Sequence, residues 1–244
     1  MHATSTHLTE ASPTDPPRTA ALTAGVALLL MAALAFFAEF YVRARVIDSH
    51  DLTATLNHLR ASGSLFRAGN AANLIVAALD LLVAAALYEV FRHTGRGLAL
   101  FAAINRVVYA AIFATATLGQ VLALNLATGA AGPPNDQLAA AFLYMHTFGW
   151  QIGLTFFAIH LAVLGGLIVR SGAAPRWIGA LLILAGGTYL TDAFATLLLP
   201  NYEEYASVLK ACVALPALAS ELSLCTWLLM HGTRDRRAAT RRFA

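Results

Sequence analysis

The chain has 244 residues, of which 59% are hydrophobic and only 12% charged, with a mean hydropathy of +0.66. A water-soluble domain of this length needs far more polar surface, so soluble enzymes and soluble binding modules are excluded and a polytopic membrane protein is indicated. The formal net charge of +3 reads as a topology signal, and nucleic acid is not an expected partner.

Residues 1–17, rich in Thr, Ser, Pro and Ala, are expected to form a disordered cytoplasmic tail. Six apolar runs follow, at 20–40, 65–91, 97–126, 138–169, 176–199 and 206–231. Each meets the roughly 20 residues a helix needs to cross a bilayer. Helical spans leave no backbone group unpaired in lipid, whereas open sheet edges are not tolerated there. The predicted fold is therefore all-α: one membrane domain of six transmembrane helices over residues 18–232, then a basic cytoplasmic tail over 233–244. The first run is too long for a cleavable signal and ends in Phe-Ala-Glu-Phe-Tyr-Val-Arg with no small-residue cleavage site.

Arg18, Arg92, Arg96, Arg170, Arg176 and the tail residues Arg234, Arg236, Arg237, Arg241 and Arg242 fall on one side of these spans. The 127–137 loop has no Lys or Arg, and the 200–205 loop carries Glu203 and Glu204. The positive-inside rule then makes both termini cytoplasmic, with the bacterial inner membrane as the expected location.

The 41–64 connection is the long one, and it carries Arg43, Arg45 and Arg60 on the outer side. Asp48-Ser49 is placed to cap a short helix whose Leu52, Leu56 and Leu59 share a face, as in an interfacial helix on the outer surface. Its arginines would anchor to lipid phosphates, the favoured reading, or fold back over the bundle. The fourth run exceeds the bilayer need, so it tilts, protrudes or is interrupted near Gly149 and Gly153. Pro216 lies inside the sixth run and frees the carbonyl of Cys212. Cys212 and Cys225 are roughly 20 Å apart along one helix, too far to bridge, and read as small core residues.

Ionisable residues inside spans are expensive and need a reason. Asp80 and Arg106 lie at equal distances from the 92–96 turn, roughly 13–17 Å in, and are expected to pair. His160 and Glu221 reach the same depth and complete an inner layer, either an ion pair that fixes the fold or a relay. An outer layer collects Glu39, Arg43 at i+4 from it, Arg67 with Asn70 and Asn73 on its stripe, His146, Asp192 and Lys210. Glu39, Arg43 and Arg67 are expected to form one wall of an outward-opening pocket and Asp192 the facing wall. Snorkelling to headgroups is the bland reading for Glu39, Arg67 and Lys210. Glu221, one short turn past Pro216, is expected to be neutral or paired with His160, since the one deep arginine is committed to Asp80.

Several chemistries are set aside. His146 and His160 have the spacing of double-haem helices, but no other span supplies histidines at matching depth. Metalloprotease, serine-hydrolase, Walker and Asp-Asp-x-x-Asp motifs do not occur, and Ser220 and Ser223 lack a rhomboid-like context. No cofactor and no metal is expected.

The segments Phe37-Ala38-Glu39-Phe40-Tyr41-Val42-Arg43, Leu65-Phe66-Arg67-Ala68-Gly69 and Ile104-Asn105-Arg106-Val107 carry a resemblance. So do Phe157-Ala158-Ile159-His160-Leu161, Arg170-Ser171-Gly172 through Pro175-Arg176, Tyr189-Leu190-Thr191-Asp192 and the Glu221 segment. Over residues 18–232 the chain resembles a family of bacterial six-helix membrane proteins known as a domain of unknown function. The resemblance implies a fold and a topology and no established activity.

Three readings of function follow. The first is an enzyme or binder for an amphiphilic lipid or isoprenoid-like ligand. Glu39, Asp192 and Glu221 are its candidate catalytic acids, and Arg43, Arg67, Asn70 and His146 its ligand-binding groups. The second is a small proton-coupled transporter or exporter, working as a homodimer, with Asp80, Arg106, His160 and Glu221 as a relay. The third is a non-catalytic membrane partner whose ion pairs only hold the fold. Membrane lipids are expected partners under all three.

Overall fold

A computed structural model describes residues 17–48, 50–130 and 132–240, with only the backbone described over 234–240. The expectations for residues 1–16, for Ser49 and for residues 241–244 lie outside the described residues. The described chain is helical, with no strand. We number α1 Arg18–Val46, α2 Leu52–Ala61, α3 residues 63–94, α4 residues 96–128, α5 Asp136–Ser171, α6 Arg176–Leu198 and α7 Ala206–Thr240.

Five helices are long and apolar enough to cross a membrane, and the longest, Gly63–Thr128, has 66 residues. Straight, it would reach about 100 Å, some three bilayer thicknesses. Instead the backbone leaves helical geometry at Gly95, and α3 and α4 fold into a hairpin. Two contacts prove the reversal: Arg106 meets Asp80, and the Cα of Gly63 points at Leu124. The hairpin supplies two crossings, which makes six spans.

Successive spans pack on one another, and α7 returns to α1, so the bundle closes as a ring. Without a hydrophobic drive between helices in lipid, close approach of small residues must hold such a ring. A side chain at Gly165 would strike the Gly179 carbonyl, joining α5 to α6. Gly25 and Gly232 admit Leu229 and Leu22 at the α1–α7 closure, where the Cys225 thiol also donates to the Gly25 carbonyl. Leu215, Leu198 and Phe40 are 75%, 72% and 70% exposed, large apolar side chains turned outward as a lipid-facing surface requires.

Helix ends follow local chemistry. Asn135 accepts from the Leu138 N–H at the start of α5, and Gly129 and Gly172 close α4 and α5 in the left-handed conformation. The fourth span runs unbroken through Gly149 and Gly153, which accept Ala116 and Tyr109 of α4. α7 likewise continues through Pro216 and, as backbone, into the expected basic tail as far as Thr240. Cys225 is buried, but Cys212 is exposed and is not a core residue.

The 41–64 connection differs from expectation in two respects. Asp51, not Asp48, caps α2 by accepting from the Ala54 N–H at 2.9 Å. Asp48 turns the chain ahead of it, accepting from the His50 and Asp51 N–H groups, and these bonds hold its carboxyl below the usual carboxylate range. Second, α2 folds back over the bundle. Leu56 and Leu59 are buried with Val42, Val46, Phe66, Leu124, Ala127 and Ala139. Arg60 donates to the Ala127 carbonyl at 3.0 Å and pairs with Asp136, tying α2 to the end of α4 and the start of α5. A cation on a helix C-terminus complements the dipole there. Leu52, by contrast, stays exposed.

Candidate functional site

Alternating direction puts the 47–62, 129–135 and 199–205 connections at one end of the ring, here called the α2 end. The two ends of the described chain, at residues 17 and 240, and residues 93–96 and 172–175 lie at the other. Three polar clusters interrupt the apolar interior.

The deepest joins α3, α4 and α5. Arg106 Nη2 lies 2.6 Å from Asp80 Oδ1, with both side chains almost fully buried. The approach is off the hydrogen-bond line, so neither carboxylate oxygen nor Arg106 Nε has an aligned partner. Arg106 Nη1 is 3.2 Å from His160 Nε2, while His160 Nδ1 is 2.9 Å from the Ala102 carbonyl. The expected Asp80–Arg106 contact is present, and His160 extends it. Glu221 of α7, Tyr109 and Tyr189 are within electrostatic range of one another and of the cluster.

The second cluster lies at the α2 end. Over Phe37–Arg43 the first span winds as a π-helix, a local form that recurs at functional sites. This segment carries Glu39 and Arg43, whose Oε2 and Nε are 3.6 Å apart. With Asn70 and Asn73 of α3 and Gln120 of α4 they line a small cavity of about 10 Å³, room for one water. Asn70 is 3% exposed, yet neither atom of its amide has a hydrogen-bond partner among the described residues. His146 adjoins from α5, its backbone packed against Gly119 next to Gln120. It is 0% exposed, and beyond an Ala116 backbone group near its ring neither ring nitrogen has a hydrogen-bond partner among the described residues. The Trp150 ring lies tilted at 6.0 Å from His146, and its indole N–H has no partner among the described residues either.

The third cluster surrounds Asp192 on α6. Gln151 Nε2 and the Tyr202 hydroxyl each donate to one of its carboxylate oxygens at 2.8 Å. Burial and then the hydrogen bond to Asp192 hold the Tyr202 phenol above its usual range, against the opposing pull of Thr196. Asp192 does not line the Glu39 cavity, and α6 packs on α5 and α7 rather than on the π segment. The facing wall expected from Asp192 is thus supplied by Asn70, Asn73 and Gln120. Arg67 is exposed and points away from the cavity, and Lys210 is exposed as well.

Of the sequence-derived candidates, then, Glu39, Arg43 and Asn70 come together at the cavity, as do Asp80, Arg106 and His160 in the deep cluster. Asp192 and Arg67 stand apart. Gln120, Trp150, Gln151 and Tyr202 were not singled out by sequence reasoning. Gln120 had a usable signal, being an amide within an apolar span at the depth of Asn70. Among the described residues no group of His, Cys, Asp and Glu is arranged to hold a metal.

The chain is similar to an uncharacterised protein of the archaeon Archaeoglobus fulgidus, 29% identical over 160 residues, or 66% of this chain and 81% of that one. No solved structure matches it. A family pattern, DUF4386, described as a domain of unknown function, matches residues 23–232, a stretch that reaches into every span and holds all three polar clusters described above; the chain belongs to that family.

Proposed function

We propose that this multi-pass membrane protein binds the uncharged polar head of an amphiphilic, lipid- or isoprenoid-like molecule in the cavity between the π segment, α3 and α4. The observation that carries this reading is a buried polar group that lines the cavity with no partner among the described residues, the Asn70 amide. Leaving such a group without a partner costs about 1–3 kcal/mol, which a ligand's hydroxyl or carbonyl would recover.

Charge decides the class of head. Glu39 and Arg43 cancel each other, Arg67 points away, and the other lining groups are amides. No net positive charge is left to hold a phosphate, so the head that this cavity suits is a neutral one. Its small size admits one hydroxyl or carbonyl. The apolar tail would lie on Phe36 and Phe40, stacked at 5.1 Å on the lipid side of the same span. The arginine asymmetry supports an outward-facing α2 end with cytoplasmic termini, in a cell membrane.

The test uses full-length protein in phospholipid nanodiscs with two probes, a long isoprenoid alcohol and its monophosphate. Retention of the alcohol by native mass spectrometry, lost on Asn70→Leu, is the expected result. Tighter retention of the phosphate, or equal retention of the alcohol by the variant, overturns the reading.

A further inference from the structure

The charge balance of the deep cluster has a consequence for its second carboxyl group. Arginine has no acceptor, so the nitrogen of His160 that faces Arg106 at 3.2 Å must accept, using its lone pair. The other ring nitrogen, 2.9 Å from the Ala102 carbonyl, must donate. Both positions are committed, and the imidazole is the neutral Nδ1–H tautomer. A proton on Nε2 would set N–H against N–H. The cluster therefore contains one cation, Arg106, and that cation lies against Asp80 at 2.6 Å.

Glu221 is half-buried on α7, one turn before Leu224 and Cys225, which are buried in one core with Ala77 and Val83 around Asp80 and with Phe157 and Leu161 around His160. Among the described residues it has no ion pair and no hydrogen bond. The titratable groups within electrostatic range of it are Asp80 on α3, Arg106 and Tyr109 on α4, Tyr189 on α6 and Cys225 on its own helix, with His160 of α5 bonded to Arg106. None offers a second positive charge. An uncompensated carboxylate in such surroundings costs several kcal/mol, and taking up a proton removes that cost.

We infer that Glu221 is a proton-binding site inside the membrane, a carboxylic acid held uncharged beside the Asp80–Arg106–His160 cluster. Asp80, by contrast, is the ionised member of the layer. Asp80 is 0% exposed and locked to its partner, whereas the Glu221 side chain is half-buried, so the proton on Glu221 is the exchangeable one. This inference is independent of the α2-end cavity, which shares none of these residues.

Two measurements on full-length protein in phosphatidylcholine vesicles test it. Dicyclohexylcarbodiimide, an apolar reagent that attacks protonated carboxyl groups, should modify Glu221 and spare Asp80, as mapped by peptide mass spectrometry. Labelling of Asp80 in place of Glu221 overturns the inference. The second measurement does not depend on reagent access. The infrared spectrum of the native protein minus that of Glu221→Gln should show a protonated-carboxyl C=O band at neutral pH, shifted in D2O. Absence of that band, with helicity of the variant preserved, overturns the inference outright.

Discussion

Asp192 and Asn70 are both buried polar residues near the α2 end, yet their surroundings are opposite. Asp192 has a donor on each carboxylate oxygen, Gln151 on one and Tyr202 on the other. Asn70 lines a cavity and has no partner among the described residues for either end of its amide. A polar group closed on protein partners is explained by the fold it stabilises. One left open beside a space the size of a water is explained by something that comes to it.

This contrast can be broken or sharpened by substitution. The largest effect belongs to the deep pair, which sets the scale. Asp80→Asn or Arg106→Met should each destabilise by about 3–5 kcal/mol, because each strands its partner, while Asp80→Leu with Arg106→Met should cost much less. Unfolding in mixed micelles reads this, and equal damage from single and double variants would show that the pair is not the unit. Asp192→Asn comes next. It turns one acceptor into a donor facing donors, for a loss of about 1–3 kcal/mol, and should leave alcohol retention unchanged. Loss of retention with full stability would place Asp192 in the site after all.

Asn70→Leu should have the opposite signature. Removing an amide that has no partner should change stability by no more than about 1 kcal/mol, in the stabilising direction, while retention is lost. A large destabilisation would mean that the amide is structural and the contrast with Asp192 false. The smallest effect concerns the α2 strap. Asp48 has its carboxyl pulled below the ordinary value by the His50 and Asp51 N–H groups. Its contribution is therefore complete above the unfolded carboxylate range and lost as the pH falls through the lowered folded value. Hydrogen exchange over residues 48–55 should quicken there, and Asp48→Asn should flatten the response.

How much of this was legible beforehand follows from what each inference needed. Span positions require only composition, and the Asp80–Arg106 contact requires only equal counts from a tight turn. Both appear in the structure. Arg60 failed the same logic because a surface arginine is drawn equally to lipid phosphate and to a helix C-terminus. Only packing shows that the Ala127 carbonyl and Asp136 lie within reach. Arg67 and Asp192 failed because depth says nothing about azimuth. Arg67 shares the depth of the cavity but faces away from it, and Asp192 sits across α5, where Gln151 takes it. The π segment was invisible for a further reason: nothing in Phe37–Arg43 departs from ordinary helix formers, and the extra residue in the turn is a tertiary outcome.

The hairpin at Gly95 also bears on how the protein is made. Asp80 and Arg106 are only 26 positions apart and meet as soon as α3 and α4 stand side by side. The nascent chain therefore need not release two naked charges into lipid one after the other. It can hand over a single neutral unit, so biogenesis is set by the pair rather than by either helix alone. Glu221, by contrast, emerges more than a hundred residues later and must find the finished pair already occupied.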